Sequence, residues 1–190
     1  MSLTAALLRR FAAPAIARAR SFKRDERGVT AIEFGILALP FFTIIFATIE
    51  TSMMFFAQQV LDSAVEDASR MIRTGQAQQA GYSLTNFRTL MCTSTFSLFG
   101  DCSAIKIKVT VISDFTAATT NPPVQTCDAS TCTWTVAEEY SAGLGRQVVQ
   151  VSAFYRWPIT VVLPYFNLKN QPDNYRLMSA TRVFRNEPFS

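Results

Sequence analysis

The chain contains no histidine and no glycine-rich loop of the kind that holds a phosphate group. Without an imidazole, serine–histidine and cysteine–histidine catalysis and most zinc-hydrolase sites are excluded. The adjacent acids Glu66/Asp67 and Glu138/Glu139 are sequence neighbours without the spacing of a catalytic carboxylate pair, and we expect both pairs to be solvated. The sequence therefore predicts a protein that is not an enzyme and that uses no cofactor.

Positive charge is also missing from a long stretch that begins at residue 29. Residues 29–69 contain no lysine or arginine, whereas residues 1–28 contain seven basic and two acidic side chains, a net charge of +5. Because the whole chain carries +4, residues 29–190 carry −1. The basic character of the whole chain comes from residues 1–28 and does not indicate nucleic-acid binding. Lysine and arginine concentrate on the cytoplasmic side of a first membrane helix, so we predict a cytoplasmic leader and an extracytoplasmic C-terminal domain.

A long apolar run follows this leader and reads RGVTAIEFGILALPFFTIIFATI over residues 27–49. At about 1.5 Å of rise per residue, a helix of this length crosses a hydrocarbon layer roughly 30 Å thick. The run is too long for the core of a cleavable secretory signal. We predict a transmembrane helix over residues 29–50 that bends at Pro40 and ends at a solvated Glu50.

Glu33 lies inside this apolar run. An ionised carboxylate in lipid costs several kcal/mol unless it is paired, so an intramembrane acid is a candidate functional residue. Cleavage of the Gly28–Val29 bond would give Val29 a free α-amino group, with an ordinary pKa of about 7.7–8.0, to pair with Glu33 of the same or a neighbouring chain. Alternatively, Glu33 reaches the cytoplasmic headgroups without any cleavage.

Beyond the apolar run, hydrophobic residues recur at steps of three and four, so an amphipathic continuation of the helix is expected over residues 51–75. Gly75 is a candidate C-terminal cap, which predicts one continuous helix of about 45 residues. A polar linker at 76–81 and a helix within 84–99 follow. The period then becomes two, which predicts strands near 105–111, 132–137, 147–157 and 177–185, with 159–166 as a crossing loop or edge strand. We expect an α+β fold in which the long helix covers a small antiparallel sheet domain over residues 76–190.

All four cysteines follow the membrane segment: Cys92, Cys102, Cys127 and Cys132. An oxidising compartment outside the membrane favours disulfides. Of the three possible connectivities, we favour the short loops Cys92–Cys102 and Cys127–Cys132. A metal site built from all four thiolates is the alternative, but neither spacing is a close Cys-x-x-Cys, so no metal is expected.

The basic leader, Gly28, the apolar helix and the glutamate five positions after the glycine resemble the cleavage junction of type IV pilins and pseudopilins. The run ERGVTAIEFGILALPFF, followed by FFAQQVLDSAVEDASRMIRTGQAQ, resembles the TadE-like family of tight-adherence pilus proteins. Near the C-terminus, VQVSAFYRWPITVVLP and ATRVFRNEPF are similar to closing segments of that family. The resemblance thus covers about residues 24–190.

The resemblance implies a minor pseudopilin or pilin-like assembly factor of a tight-adherence (Flp) pilus, cut after Gly28 by a prepilin peptidase and helping to initiate or organise the fibre. It implies a single-pass protein of the bacterial inner membrane with a cytoplasmic N-terminus and a periplasmic domain. The implied partners are the peptidase, the major pilin, sister minor pilins, the inner-membrane assembly platform and the lipid bilayer.

Two other functions remain open on the residues alone. The first is an unprocessed, membrane-anchored structural component of the pilus secretion apparatus, which would keep its leader. The second is a membrane-tethered periplasmic binding or sensor module, which would need a ligand pocket in the sheet domain.

Overall fold

The computed structural model describes residues 28–95, 98–100, 102–120, 122–123, 125–127, 132–134, 137–161, 168–172 and 174–189. The chain divides into two compact units, residues 1–48 and residues 49–190. The predicted leader lies outside the described residues except for Gly28. Helix α1 runs from Val29 to Arg73, so the predicted helix of about 45 residues is confirmed.

The described part of the first unit is the beginning of helix α1, residues 29–48, together with Gly28. The side chains of this part of the helix are almost all apolar and exposed. Among the described residues it is the single helix that is long and apolar enough to cross a membrane, and none of its most apolar window is buried by protein. Thr43 donates a hydrogen bond of 2.7 Å to the carbonyl of Leu39, and Thr48 donates one of 2.8 Å to that of Ile44. Both hydroxyl groups are therefore satisfied within the helix, as an apolar solvent requires.

In the second unit, one face of helix α1 is buried, which confirms the amphipathic pattern expected there. Its buried residues follow steps of three and four: Met54, Ala57, Leu61, Ala64, Val65, Ala68, Ser69 and Ile72. The helix is followed by Gly75, whose φ of 81° lies in the left-handed region and whose N–H donates to the carbonyl of Ile72 at 3.0 Å. This is the expected C-terminal glycine signal.

Two shorter helices follow. Helix α2, Gln76–Gln79, replaces the predicted linker and buries Ala77, which its polar composition did not reveal. Helix α3, Leu84–Thr93, lies within the predicted 84–99. Its Ser83 accepts a hydrogen bond from the backbone of Asn86 while the Asn86 side chain accepts one from the backbone of Ser83, a reciprocal cap that fixes the start of the helix.

The strands of the second unit form two sheets. Their bounds are β1 Lys106–Ile112, β2 Gln125–Cys127, β3 Cys132–Trp134, β4 Glu139–Tyr140, β5 Val148–Pro158 and β6 Tyr175–Arg185. The main sheet has the order β4–β1–β5–β6, and β2 pairs with β3 in an antiparallel hairpin. Strand β4 pairs parallel with β1, so the α+β fold is confirmed but the sheet is mixed rather than purely antiparallel. At two residues, β4 is too short to show a period of two in the sequence.

The register places the apolar residues of β1 and β5 on one face, where Val109 lies opposite Val151 and Ile107 opposite Ala153. All four side chains are fully buried and belong to the same core cluster as Leu61 of helix α1. The buried face of the helix therefore packs on this face of the sheet.

The segment between β5 and β6 was predicted as a crossing loop or an edge strand. Ile159 is buried, and its N–H donates a hydrogen bond of 2.7 Å to the carbonyl of Asn174. Residues 162–167 of this segment lie outside the described part of the chain. The described end, Pro158–Val161, is therefore held against the start of β6.

Candidate membrane and assembly surface

The predicted cleavage junction lies at the beginning of helix α1. Gly28 is exposed and has no atom within 4 Å of the position that a Cβ would take, and Val29 is 48% exposed. Glu33 follows Val29 by four residues, so both residues lie on the same face of the helix, about 6 Å apart along its axis. An amine created at Val29 would therefore lie one helical turn from this carboxylate.

Glu33 is exposed on the helix surface. The ion pairs found in the described part of the chain involve Arg73, Arg88 and Arg182, and none of them reaches Glu33. The described residues of one chain therefore provide no cation for this acid, as expected from the absence of basic residues between 29 and 69.

The exposed apolar surface of helix α1 is longer than the predicted span. Large apolar side chains with at least 43% exposure occur throughout its first 28 residues: Val29, Ile32, Phe34, Ile36, Leu37, Leu39, Phe41, Phe42, Ile44, Phe46, Ile49, Met53, Phe55 and Phe56. The last three lie beyond Glu50, where the prediction placed the end of the membrane segment. Outward-facing residues become polar from Gln59 onward.

Glu50 is not the solvated acid that the sequence suggested. Its side chain accepts hydrogen bonds from the backbone N–H groups of Thr160 and Val161, the second at 2.8 Å to Oε2. The acid therefore ties helix α1 to the segment that follows β5. No sequence signal could have revealed this contact, because the donors are backbone amides more than a hundred residues away.

Two of the acids that were expected on the solvated surface pair with arginines; Glu66 remains 57% exposed as expected, whereas Glu138 is largely withdrawn from solvent. Arg88 donates a hydrogen bond of 2.6 Å to Glu138, whose Oε1 also accepts one of 3.2 Å from the backbone of Ile107. The side chains of this ion pair are 19% and 24% exposed. In the second pair, Arg182 on β6 donates to Glu66 at 2.6 Å and so links the sheet to helix α1. Both acids have structural contacts that the linear sequence did not show.

The cysteines occupy two places in the second unit. A disulfide joins Cys92, near the end of α3, to Cys102, which begins a short 3-10 turn, with the two Cα atoms 5.9 Å apart. Cys127 and Cys132 are directly opposite each other in the β2–β3 register, and their side chains lie outside the description. Within the described residues there is no cluster of three or more acids or cysteines that could hold a metal.

A shallow depression of about 360 Å³ lies where the start of β1, the end of β5 and the start of β6 meet. It is lined by both basic and aromatic side chains, including Lys106, Tyr155, Arg156 and Tyr175. The Arg156 guanidinium lies 4.1 Å from the centre of the Tyr175 ring, a cation–π contact. Burial raises the pKa of the Tyr155 hydroxyl, with a smaller contribution from Tyr175, so the phenol remains neutral at physiological pH.

A family model matches most of helix α1. Residues 28–70 match the family model described as TadE-like protein, which agrees with the resemblance seen in the sequence over this stretch. The matched range includes the Gly28–Val29 junction, Glu33, Glu50 and the outer end of the apolar surface. No curated protein and no solved structure matches the chain.

Proposed function

From the TadE-like match of residues 28–70, which indicates a pilin-like protein associated with a tight-adherence pilus, we propose that this chain is a minor pseudopilin or pilin-like assembly factor. The leader is cut from it after Gly28, and the mature subunit helps to initiate or organise the fibre. TadE-like pilus components are structural rather than catalytic.

One observation carries the proposal: a single helix presents the junction, an acid one turn further on and an exposed apolar surface. In the bilayer, lipid covers this surface. Removing the helix from lipid exposes it to water, which is unfavourable unless other apolar helices replace the lipid. Neighbouring pilin helices, from the major pilin or sister minor pilins, provide that cover as subunits associate.

Glu33 determines the order of these events in the proposed mechanism. Cleavage after Gly28 creates an ammonium group on Val29, one turn from Glu33 on the same face of the helix. An adjacent subunit in the bundle presents the ammonium group of its own Val29. Pairing the two charges removes much of the cost of placing a carboxylate among apolar helices. Processing therefore precedes incorporation, and the prepilin peptidase acts before the assembly platform.

The proposed orientation follows from the basic leader, with the N-terminus in the cytoplasm and the sheet domain, residues 76–190, in the periplasm. The Cys92–Cys102 disulfide supports this placement, since such bonds persist in an oxidising compartment. The protein is then a single-pass component of a bacterial inner membrane.

Intact mass measurement tests the proposal directly. The chain is expressed with its own prepilin peptidase, and the wild type should lose residues 1–28. A Gly28→Leu variant should keep them. Gly35→Leu is the matched control, because it adds the same side chain at a second glycine of the N-terminal segment with open space around it, and it should still be cut.

If the wild type retains its leader in the presence of the active peptidase, the protein is an unprocessed anchor of the secretion apparatus and the pseudopilin role is wrong. Normal cutting of Gly28→Leu would place the cleavage site elsewhere.

A further inference from the structure

We infer that the bilayer contacts the second unit as well as the anchor helix: Met53, Phe55 and Phe56, here called the outer apolar rim, enter the boundary between the lipid headgroups and the acyl chains. This inference relies on the membrane anchorage proposed above. It extends the lipid contact beyond the span that the sequence predicted.

The first argument is the exposure of the outer apolar rim. Phe55 is 65% exposed and Phe56 56% exposed, although their neighbours Met54 and Ala57 are buried against the sheet. Two adjacent phenylalanines in water are unfavourable, whereas rings of this kind on a helix are favourable at the boundary between headgroups and acyl chains. The outer apolar rim has the chemistry of a lipid-facing surface.

The second argument is length along the helix. Phe56 follows Val29 by 27 residues, which corresponds to about 40 Å of helix, and a bilayer including its headgroups is about 40–45 Å thick. With Val29 at the inner headgroups, Phe56 reaches the outer headgroups. Gln59 and the outward-facing residues that follow it are polar, so water contact resumes there.

The third argument is that Glu50 accepts hydrogen bonds from the folded chain. This residue lies about 9 Å deeper than Phe56 along the same helix. A carboxylate at that depth needs hydrogen-bond donors, and two backbone amides, those of Thr160 and Val161, supply them. The same contact satisfies two amides that would otherwise face lipid. Glu50 and the backbone of Thr160 and Val161 can therefore enter the headgroup region together.

The test uses the full-length processed chain in phosphatidylethanolamine/phosphatidylglycerol vesicles. One sample is labelled with a carbene probe confined to the acyl chains, and another with hydroxyl radicals generated in water, and peptide mass spectrometry locates both labels. Phe115 and Leu144 are the internal controls, because they are 53% and 72% exposed and lie outside helix α1.

We expect carbene labelling of the outer apolar rim within about twofold of that of Val29–Ile49, and about tenfold above that of the controls, with protection from radicals. Radical labelling of the rim at the level of the controls would overturn the inference. Protection from both probes would also overturn it, because a protein partner would then cover the rim. Absence of carbene labelling in residues 29–49 would instead contradict the proposed anchorage of helix α1 in the membrane.

A variant pair gives an independent measurement. Replacing Phe55 and Phe56 together by serine should lower carbene labelling of Met53 about tenfold, whereas serine at Phe115 and Leu144 should not change it. Equal labelling of Met53 in both double variants would contradict the inference. Circular dichroism checks that each variant keeps its fold.

Discussion

Glu50 Oε2 accepts a hydrogen bond of 2.8 Å from the backbone N–H of Val161, a residue 111 positions further along the chain. The other oxygen of the same carboxylate accepts from Thr160. One side chain of the long helix therefore fixes the chain as it leaves β5. The contact lies close to the point where the apolar surface of the helix ends.

Glu50→Ala should lower the free energy of unfolding of the second unit by about 2–4 kcal/mol, because hydrogen bonds to a charged group contribute roughly 1.5–3 kcal/mol each. Amide exchange at Thr160 and Val161 should accelerate in the same variant. Thermal unfolding in detergent micelles and hydrogen exchange with mass spectrometry measure the two effects. Glu139→Ala, at an exposed acid of β4, is the control and should change stability by less than about 0.5 kcal/mol.

Glu33→Gln should leave cleavage after Gly28 intact but reduce incorporation of the subunit into surface pili. The amide keeps the shape of the side chain but loses the charge that pairs with the ammonium group of Val29. Quantifying sheared pili alongside the processed mass separates the two steps. Normal assembly of this variant would contradict the pairing of Glu33 with Val29. It would favour the alternative given above, in which Glu33 reaches the cytoplasmic headgroups.

Gly75→Ala should destabilise the protein by about 2–3 kcal/mol, since it combines a left-handed backbone with a steric clash. Its φ is 81°, and an added Cβ would lie 2.6 Å from Cγ of Phe189. Gly81→Ala is the matched control: it has a similar φ of 63° but open space around it, so we expect a cost of only about 1 kcal/mol. Equal costs at the two positions would show that Phe189 moves away freely.

The stability of the second unit should fall as the pH rises from about 10 to about 12. Burial of the Tyr140 hydroxyl, with a smaller contribution from Tyr82, raises the pKa of Tyr140 to about 12 from an ordinary value of 10.0. The folded protein holds this proton more tightly than the unfolded chain does. The contribution of the protonated Tyr140 to the free energy of unfolding is therefore complete below pH 10 and is lost as the pH rises through the pKa of the folded state. Denaturant unfolding at several pH values measures the slope.

Tyr140→Phe should flatten that slope. At pH 7 it should be neutral or stabilising, because the buried hydroxyl of Tyr140 has no hydrogen-bond partner among the described residues. A slope that survives in this variant would assign the effect to another group.

The long helix was predictable because its signals are local. Apolar length defined the first part, steps of three and four defined the second, and Gly75 marked the end. Strands β1, β5 and β6 were predicted to within a few residues, since they are seven, eleven and eleven residues long and so leave a longer apolar pattern in the sequence. Helix α2 and strand β4 were missed because four and two residues are too few to show a period.

The candidate site divides in the same way. Gly28, Val29 and Glu33 were selected from the charge junction, the acid inside the apolar run and the family resemblance, and their roles stay predictions. One turn of helix places Val29 and Glu33 on a common face whatever the rest of the chain does. The partners of Glu50, Glu66 and Glu138 depend on segments that approach only in the folded second unit. All three acids had been expected in water.

By itself, the sequence determined that a membrane-length helix starts at a cleavable-looking junction and carries an acid near its beginning, because hydrophobicity and helical periodicity act between close neighbours. Only the tertiary structure decided where the exposed apolar surface of the helix ends and which groups donate hydrogen bonds to Glu50. Exposure of Phe55 and Phe56 depends on which helix face the sheet covers, and the donors to Glu50 are backbone amides, which every residue except proline carries and which therefore leave no mark in a sequence.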